Sequence, residues 1–375
     1  MKQLLAVLLA LAAFDCAAQA ATPPPIAAKA YVLIDAQSGQ TLAAAAENER
    51  IEPASLTKLM TAWLAFNEIR AGRLEGAKAV PVSENATKAA GARMYLNAGQ
   101  QVAVADLLRG MVVQSANDAA VVLAEAVAGT EAAFVTRMNE QAAKMGLAGT
   151  HFANASGQPA PGHHSTPRDL AVLALALVRD FPDQYPLYAQ KEFTFNNMKQ
   201  SNRNRLLWTD PTVDGMKTGF TESAGYCLVA SARRGERRLV SVLAGAQSDT
   251  LRTTETQKLL NFGFQAYETR RLYQRGQSIA SPVVYKGTSA TVRVGFDRDV
   301  WLTLPRDRFT GLQATLQTRQ PFVAPLAAGE KAGIMKLTRD SAPMAEIPVV
   351  ALEDVPQAGF LSRGWDTLKL LFQSP

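Results

Sequence analysis

The pattern of apolar and polar positions divides this chain into a mixed front part and a strand-rich back part. Residues 31–34 form an apolar run typical of a strand, and the polar residues 35–39 form the turn that ends it. Helical spacing of apolar residues predicts helices over the following ranges: 55–69, 104–111, 118–127, 134–145, 169–178 and 254–267. Two further strands, at 228–232 and 239–243, are joined by a polar turn through Gly235. This order predicts one α+β domain, in which the first strand pairs with late strands.

The pattern changes near Gln277. From there to Val355 short alternating apolar runs are broken by glycine and proline, which is typical of a small all-β sandwich. Residues 277–355 carry no cluster of catalytic residue types, and no internal repeat is visible. The sequence therefore predicts a second, non-catalytic domain.

Residues 357–375 form an amphipathic segment. Its apolar residues recur at helical spacing, and its charged residues fall on the other side; the apolar set is Phe360, Leu361, Trp365, Leu368 and Phe372. Such a helix can lie in a membrane interface, with its aromatic rings at the level of the headgroups. It can also dock on its own protein, and the pattern leaves both alternatives open.

The N-terminus has the features of a secretory signal peptide. Lys2 precedes an apolar run over residues 4–14, and residues 18–20 read Ala-Gln-Ala, which predicts cleavage near Ala20. The apolar run is too short for a membrane span. Loss of residues 1–20 leaves Cys227 as the only cysteine, so we expect an exported protein without an internal disulfide.

Length and charge narrow the class of protein. A chain of 375 residues accommodates two domains, and its net charge of +6 comes from scattered basic residues. No basic run of the kind that binds nucleic acid is present, so no nucleic-acid partner is expected. A mild positive excess suits an anionic membrane surface or a substrate that carries a carboxylate.

Ser55 and Lys58 form the only Ser-x-x-Lys pattern in the chain. Three residues apart at the start of a predicted helix, the two side chains share one face, so a hydroxyl nucleophile lies beside an amine base. The helix N-terminus favours developing negative charge. The ordinary interpretation is that Ser55 is a simple N-cap residue.

Two further motifs follow in order. The pattern Ser-x-Asn occurs twice, at residues 83–85 in a polar stretch and at Ser115 to Asn117 between two helical runs. The second is preferred, because a hydroxyl and an amide there would be buried and need partners. Lys217, Thr218 and Gly219 then precede the strand-like region near residue 226. Taken alone, the second Ser-x-Asn pattern is an ordinary turn between helices. Taken alone, Lys-Thr-Gly is the start of a strand with an exposed lysine.

The ordered motifs Ser-x-x-Lys, Ser-x-Asn and Lys-Thr-Gly resemble those of the low-molecular-mass penicillin-binding proteins, the serine-type D-alanyl-D-alanine carboxypeptidases of the S11 peptidase family. The resemblance covers nearly the whole chain and includes residues 35–39, 53–60, 192–197, 202–204, 213–215 and 224–226. It implies a penicillin-binding/β-lactamase-like serine transpeptidase fold, a sheet flanked by helices, over residues 24–272. It also implies a β-sandwich over 277–355 and an amphipathic membrane-anchor helix over 357–375.

By this resemblance Ser55 attacks the carbonyl between two D-alanines, and Lys58 accepts its proton. Lys58 can do so only when neutral, and burial together with the nearby charge of Lys217 would lower its pKa. Ser115 completes a proton path to the leaving amine, and Asn117 orients Lys58 or the substrate amide.

The resemblance also assigns groups to the substrate. The backbone N–H groups of Ser55 and Phe220 form the oxyanion hole. Lys217, Thr218 and Gly219 bind substrate, and Thr218 with Arg203 and Arg252 holds the terminal carboxylate. Asp180 supports this basic region. Two positions depart from the family pattern: Phe220 replaces a polar residue, and Ser156 stands where a histidine can occur.

The implied activity is removal of the terminal D-alanine from peptidoglycan pentapeptide stems, with β-lactam antibiotics as covalent inhibitors, at the periplasmic face of the inner membrane. No cofactor or metal is expected. A DD-endopeptidase and a β-lactamase of the same fold are alternatives, although the extra β domain disfavours both. A Gly-x-Ser-x-Gly elbow is absent, and His163-His164 lacks a zinc-ligand pattern. A non-catalytic wall-binding protein remains an alternative if Ser55 is inert.

Overall fold

The computed structural model describes residues 21–371, so the predicted signal peptide at 1–20 and the last four residues, including Phe372, lie outside the described residues. Within them the chain forms two compact units, Thr22–Tyr267 and the residues from Glu268 onward. The predicted α+β fold is confirmed, with helices and sheet together in the first unit and mainly strands in the second.

A five-stranded antiparallel sheet is the centre of the first unit, in the order β2-β1-β9-β8-β7. Its strands are β1 (Ala30–Asp35), β2 (Thr41–Ala45), β7 (Val213–Thr221), β8 (Gly225–Arg234) and β9 (Arg237–Ala246). The first strand pairs with the late hairpin, as predicted. Because β8 and β9 read as nearly continuous buried apolar runs, both faces of the sheet are covered.

Short strand pairs and eight helices complete this unit. The short strands are β3 (Ala79–Pro81), β4 (Gln101–Ala103), β5 (Glu192–Phe195) and β6 (Met198–Ser201). The helices are α1 (Lys58–Arg70), α2 (Glu84–Thr87), α3 (Val104–Arg109), α4 (Asn117–Ala128), α5 (Glu131–Lys144), α6 (Pro167–Asp180), α7 (Leu206–Thr209) and α8 (Asp249–Ala266). The predicted helices are confirmed, with ends shifted by a few residues.

Helix boundaries follow the expected capping chemistry. The side chains of Thr130, Thr166 and Ser248 accept hydrogen bonds from backbone N–H groups in the first turns of α5, α6 and α8. Pro167 stands at the first position of α6, where a missing N–H costs nothing. Ser83 caps the short helix α2 in the same way, so the polar stretch that contains it is helical.

The second unit has its own apolar core and nine strands. Its main sheet has the order β11-β13-β18-β17-β15, and two smaller pairs are β10-β14 and β12-β16. The strands are β10 (Tyr267–Tyr273), β11 (Ser278–Ala280), β12 (Val284–Tyr285), β13 (Val294–Gly295), β14 (Val300–Pro305), β15 (Leu312–Thr318), β16 (Phe322–Val323), β17 (Lys331–Arg339) and β18 (Ala342–Ala351). The boundary between the two units falls at Tyr267/Glu268. Strand β10 was predicted to be the end of the catalytic domain, but it pairs with β14 of the second unit.

Helix α9 (Phe360–Leu371) follows the last strand and packs on its own unit through its polar side. The carboxylate of Asp366 accepts a hydrogen bond from the Lys286 backbone N–H at 2.6 Å. Phe360, Leu361 and Trp365 are 82 %, 88 % and 65 % exposed. The docked alternative is therefore confirmed, although the apolar side of the helix stays uncovered, and the membrane-interface alternative stays a prediction.

Within residues 21–371 no single helix has the length and apolar character needed to cross a membrane. Among the described helices, the pair α4 and α5, taken together across an 82° bend, reaches that length and hydropathy.

Candidate active site

The sheet edge at β7 and the turn that precedes α1 form one side of a cleft of about 600 Å³. Ser55 lies in a 3-10 turn, Ala54–Thr57, which runs directly into α1. No side-chain cap bond is formed there, so Ser55 is not a simple N-cap residue. Its side chain is partly exposed and lines the cleft.

Two glycines allow the backbone to close around this turn. A Cβ on Gly157 would lie 1.7 Å from the Ala54 carbonyl oxygen, and its φ of +85° favours glycine. A Cβ on Gly219 would lie 3.1 Å from the Pro53 carbonyl oxygen. Glycine at these two positions therefore lets the loop around residue 157 and strand β7 approach Ser55 from both sides.

Lys58 is buried below Ser55, with 2 % of its surface exposed. Its Nζ lies 3.1 Å from Ser55 Oγ, 2.6 Å from Asn117 Oδ1 and 2.5 Å from the Ser156 carbonyl oxygen. The last two groups only accept hydrogen bonds. A neutral lysine has two N–H donors and one lone pair, so these acceptors use both donors and leave the lone pair for the Ser55 hydroxyl.

Burial lowers the pKa of Lys58 to about 7, with the positive charge of Arg203 as the second cause. The sequence assigned that second role to Lys217. Lys217 is buried as well, and its pKa is lowered well below the usual value by burial and then by the charges of Lys58, Arg203 and Arg252. The neutral form of Lys58 is therefore well populated near neutral pH.

Ser115 and Asn117 stand where a tight turn joins a π-helical turn, Gly110–Gln114, to α4. Ser115 has a left-handed backbone (φ 68°), and its Oγ accepts a hydrogen bond from Lys217 Nζ at 2.9 Å. The Asn117 amide donates to the Ala90 carbonyl oxygen at 2.6 Å, which turns its oxygen toward Lys58. The second Ser-x-Asn pattern is thus in the cleft, whereas Ser83 caps a helix.

Lys217, Thr218 and Gly219 precede β8, as predicted, but they lie inside a strand of their own, β7, and both polar side chains are buried. This corrects the interpretation of Lys217 as an exposed strand-start residue. Register places Phe220 opposite Tyr226 on β8, with the Phe220 side chain half exposed at the cleft.

Basic side chains line part of the cleft, which we call its basic end, and Thr218 lines the cleft as well. Arg203, Arg205 and Arg252 line it, together with Asn202 and Asp249. Asp249 forms ion pairs with Arg252 and, at 2.7 Å, with Arg205. Arg203 forms no ion pair within the described chain. A carboxylate in this part of the cleft would meet a partly neutralised Arg252 and an uncompensated Arg203.

The expectation for Asp180 is wrong in the structure. Asp180 ends helix α6, outside the cleft lining, where its carboxylate pairs with the neighbouring Arg179 and its carbonyl oxygen accepts from Arg70. The acidic partner of the basic region is Asp249, which sequence reasoning missed. Its signal was present, because Asp249 precedes Arg252 by three residues on one helix, a spacing at which opposite charges pair.

His163 was also missed as part of the site's framework. Its Nδ1 accepts a hydrogen bond from the Ala153 backbone N–H at 2.9 Å, so Nε2 carries the proton that it donates to Thr57 Oγ1 at 2.8 Å. Burial lowers the pKa of His163 to about 4, which keeps the ring neutral. This bond joins the loop beneath Ser55 to the nucleophile turn. Within residues 21–371 no group of three metal-ligand side chains occurs.

A serine with a buried lysine base, a second serine–lysine pair, and a basic cleft end define a serine acyl-transfer site on an α+β fold. Residues 17–248 match the family model for D-alanyl-D-alanine carboxypeptidase, and residues 267–357 match the model for the C-terminal domain of penicillin-binding protein 5. The chain belongs to the family of serine D-alanyl-D-alanine carboxypeptidases.

Individual relatives agree with this assignment. The chain is 38% identical to the D-alanyl-D-alanine carboxypeptidase DacC of Escherichia coli over 95% of this chain and 91% of that protein. It is 39% identical to DacA of the same species over 93% and 89%. Penicillin-binding protein 5 from Haemophilus influenzae superimposes with a TM-score of 0.86 at 38% identity, covering 90% of this chain and 99% of that one. The similarity thus spans both units.

Proposed function

We propose that this protein removes the terminal D-alanine from peptidoglycan stems that end in D-Ala-D-Ala, through an acyl-enzyme on Ser55. The contact set of Lys58 carries the proposal. Two acceptors occupy its N–H donors, and the remaining lone pair faces the Ser55 hydroxyl at 3.1 Å. A lysine with a pKa of about 7 in that place is a competent base at neutral pH.

The steps follow from this arrangement. Ser55 Oγ bonds to the carbonyl carbon while Lys58 takes its proton, and the backbone N–H groups of Ser55 and Phe220 stabilise the oxyanion. The amide C–N bond then breaks, and the proton held by Lys58 passes through Ser115, which is hydrogen-bonded to Lys217, to the leaving amine, so Lys58 is neutral again. Water, deprotonated by Lys58, attacks the ester; the acid leaves, and Ser55 regains a proton.

The basic end of the cleft supports exopeptidase specificity. Thr218, Arg203 and Arg252 all line the cleft and would bind the terminal carboxylate that such a substrate carries. A β-lactam presents a carboxylate and a reactive carbonyl in a similar relation, so we expect it to acylate Ser55. A related penicillin-binding protein from Listeria monocytogenes, 31% identical, has been solved with ampicillin bound.

Purified protein, a labelled penicillin and a pentapeptide ending in D-Ala-D-Ala test the reaction. Unchanged protein is expected to be labelled and to release D-alanine, and Ser55→Ala to do neither. Ser83→Ala, in the Ser-x-Asn pattern outside the cleft, is the matched control and should retain both activities. Labelling of Ser55→Ala contradicts the nucleophile assignment, and a lack of D-alanine release by unchanged protein contradicts the reaction.

We further propose that the protein is exported and held at the periplasmic face of the inner membrane by α9. The signal-like segment at 1–20 and the exposed apolar side of α9 support this placement. Rings and aliphatic chains on one side of a docked helix suit the boundary between headgroups and acyl chains.

Leu361→Glu tests the membrane role, because a carboxylate on the apolar side opposes insertion. We expect this variant to move from the membrane to the soluble fraction of cells. Thr254→Glu adds the same charge at an exposed position of α8, away from α9, and should leave the distribution unchanged. If Leu361→Glu stays with the membrane as fully as unchanged protein does, α9 is not the anchor.

A further inference from the structure

Two aromatic side chains, those of Phe220 and Tyr226, line the cleft and have no role in the mechanism above, which uses only the backbone N–H of Phe220. The rings of Phe220 and Tyr226 have centroids 4.4 Å apart and are tilted by 38°. They are cross-strand partners on β7 and β8, so both side chains project from the same face of the sheet. Phe220 is 51 % exposed, which leaves a large apolar surface open to the cleft.

The pair lies beside the groups that we assign to the substrate carboxylate. Thr218 and Phe220 are two residues apart on β7, so their side chains lie on one face of the strand. The guanidinium carbon of Arg252 lies 5.5 Å from the centre of the Tyr226 ring. Thr218, Arg252 and both rings therefore form one continuous stretch of the cleft wall.

The aromatic pair lies next to the groups assigned to the carboxylate, and the covalent structure of a terminal amino acid shows what this position can bind. Its carboxylate and its side chain are attached to the same Cα, so groups that flank the carboxylate are within reach of the side chain. The flank provided by Phe220 is apolar and half open. A methyl group covers little of such a surface, and a longer aliphatic or aromatic side chain covers more and gains more from leaving water.

We propose that Phe220 and Tyr226 form the subsite for the side chain of the leaving residue, and that the enzyme also releases terminal D-amino acids with aliphatic or aromatic side chains larger than that of alanine. This inference rests on the proposed function, because it places the leaving residue at the carboxylate end of the cleft. Burial of one methylene group contributes roughly a fourfold gain in binding, so several buried carbons outweigh a modest loss in fit.

Three synthetic pentapeptides that differ only in the last residue, D-alanine, D-leucine or D-phenylalanine, test the proposal. The measured quantity is the ratio of kcat/KM for each larger residue to kcat/KM for D-alanine, obtained from the amino acid released. In the unchanged protein we expect all three to be released. In Phe220→Ala the ratio should fall about tenfold, mainly through KM. Each ratio comes from one preparation, so partial misfolding cancels.

Three further variants separate the subsite from a general effect. Trp208→Ala removes another exposed aromatic side chain, one that does not line the cleft, and should leave the ratio unchanged. Tyr226→Phe retains the ring and should keep the ratio, whereas Tyr226→Ala should lower it. An equal ratio in Phe220→Ala and unchanged protein overturns the subsite, as does failure to release D-leucine and D-phenylalanine. Failure to release D-alanine as well overturns the proposed function instead.

Discussion

At the scale of single residues, the chemistry of Lys58 depends on what surrounds it rather than on lysine itself. An exposed lysine is protonated at neutral pH and cannot accept a proton from serine. Here burial removes the water that stabilises the charge, and Arg203 adds repulsion, so the pKa falls to about 7. Two fixed acceptors then decide where the lone pair points. The same side chain on the surface of the sheet would be inert.

The lowered pKa predicts how acylation depends on pH. Because only neutral Lys58 accepts the Ser55 proton, the rate constant for acylation by a penicillin should rise with pH and level off above a midpoint near 7. Stopped-flow or quenched-flow measurements from pH 5 to 9 give this rate constant. Arg203→Gln removes the second cause of the shift, so its midpoint should move to higher pH. A midpoint near 10 in unchanged protein would contradict the lowered pKa of Lys58.

At the scale of elements, three pieces of structure must meet around the turn Ala54–Thr57. Helix α1 follows the turn, strand β7 closes on it at Gly219, and the loop around Gly157 packs beneath it. His163 connects that loop to the turn through Thr57. The nucleophile is held by packing from both sides, so a change in the loop should alter the position of Ser55.

Gly157→Ala tests this packing. The new Cβ would overlap the Ala54 carbonyl, and the alanine would have to adopt a positive φ. We therefore expect a loss of at least about 3 kcal/mol in unfolding free energy and greatly slowed acylation. Gly129→Ala is a matched control: its φ is +80° with no atom within 4 Å of the added Cβ. This variant should lower the unfolding free energy by about 1–2 kcal/mol and leave acylation intact. Denaturant unfolding and penicillin labelling measure both; equal effects would contradict the packing argument.

At the scale of the whole molecule, the chain consists of two units with separate apolar cores. Every residue that lines the catalytic cleft lies between Ser55 and Arg252, inside the first unit. The second unit has α9 docked through Asp366, with the apolar side of the helix outward. Chemistry and the proposed membrane attachment are thus assigned to different units of one chain.

Separate cores predict two thermal transitions in calorimetry of the complete protein. Acylation by a penicillin fills the cleft and adds contacts in the first unit only, so it should raise one transition temperature and leave the other unchanged. Ser55→Ala treated with the same penicillin serves as the control, and neither transition should move. A single transition, or an equal rise in both, would show that the two units unfold together.

The sequence by itself determined the α+β fold, the helices and late hairpin of the first unit, and the three ordered motifs. It could do so because apolar periodicity and short catalytic spacings are local properties, which the printed residues display directly. It also selected Ser115 over Ser83, since a hydroxyl and an amide between two apolar helices need buried partners. The boundary at Tyr267/Glu268 was less visible, because β10 is defined by its pairing with β14.

Only the tertiary structure decided what depends on neighbours distant in the chain. It replaced Lys217 with Arg203 as the second cause of the lowered Lys58 pKa, and Asp180 with Asp249 as the partner of the basic cleft. It also placed Phe220 against Tyr226 next to Arg252. Charge interactions and ring contacts depend on distance in space, and the fold brings together residues that the sequence keeps far apart.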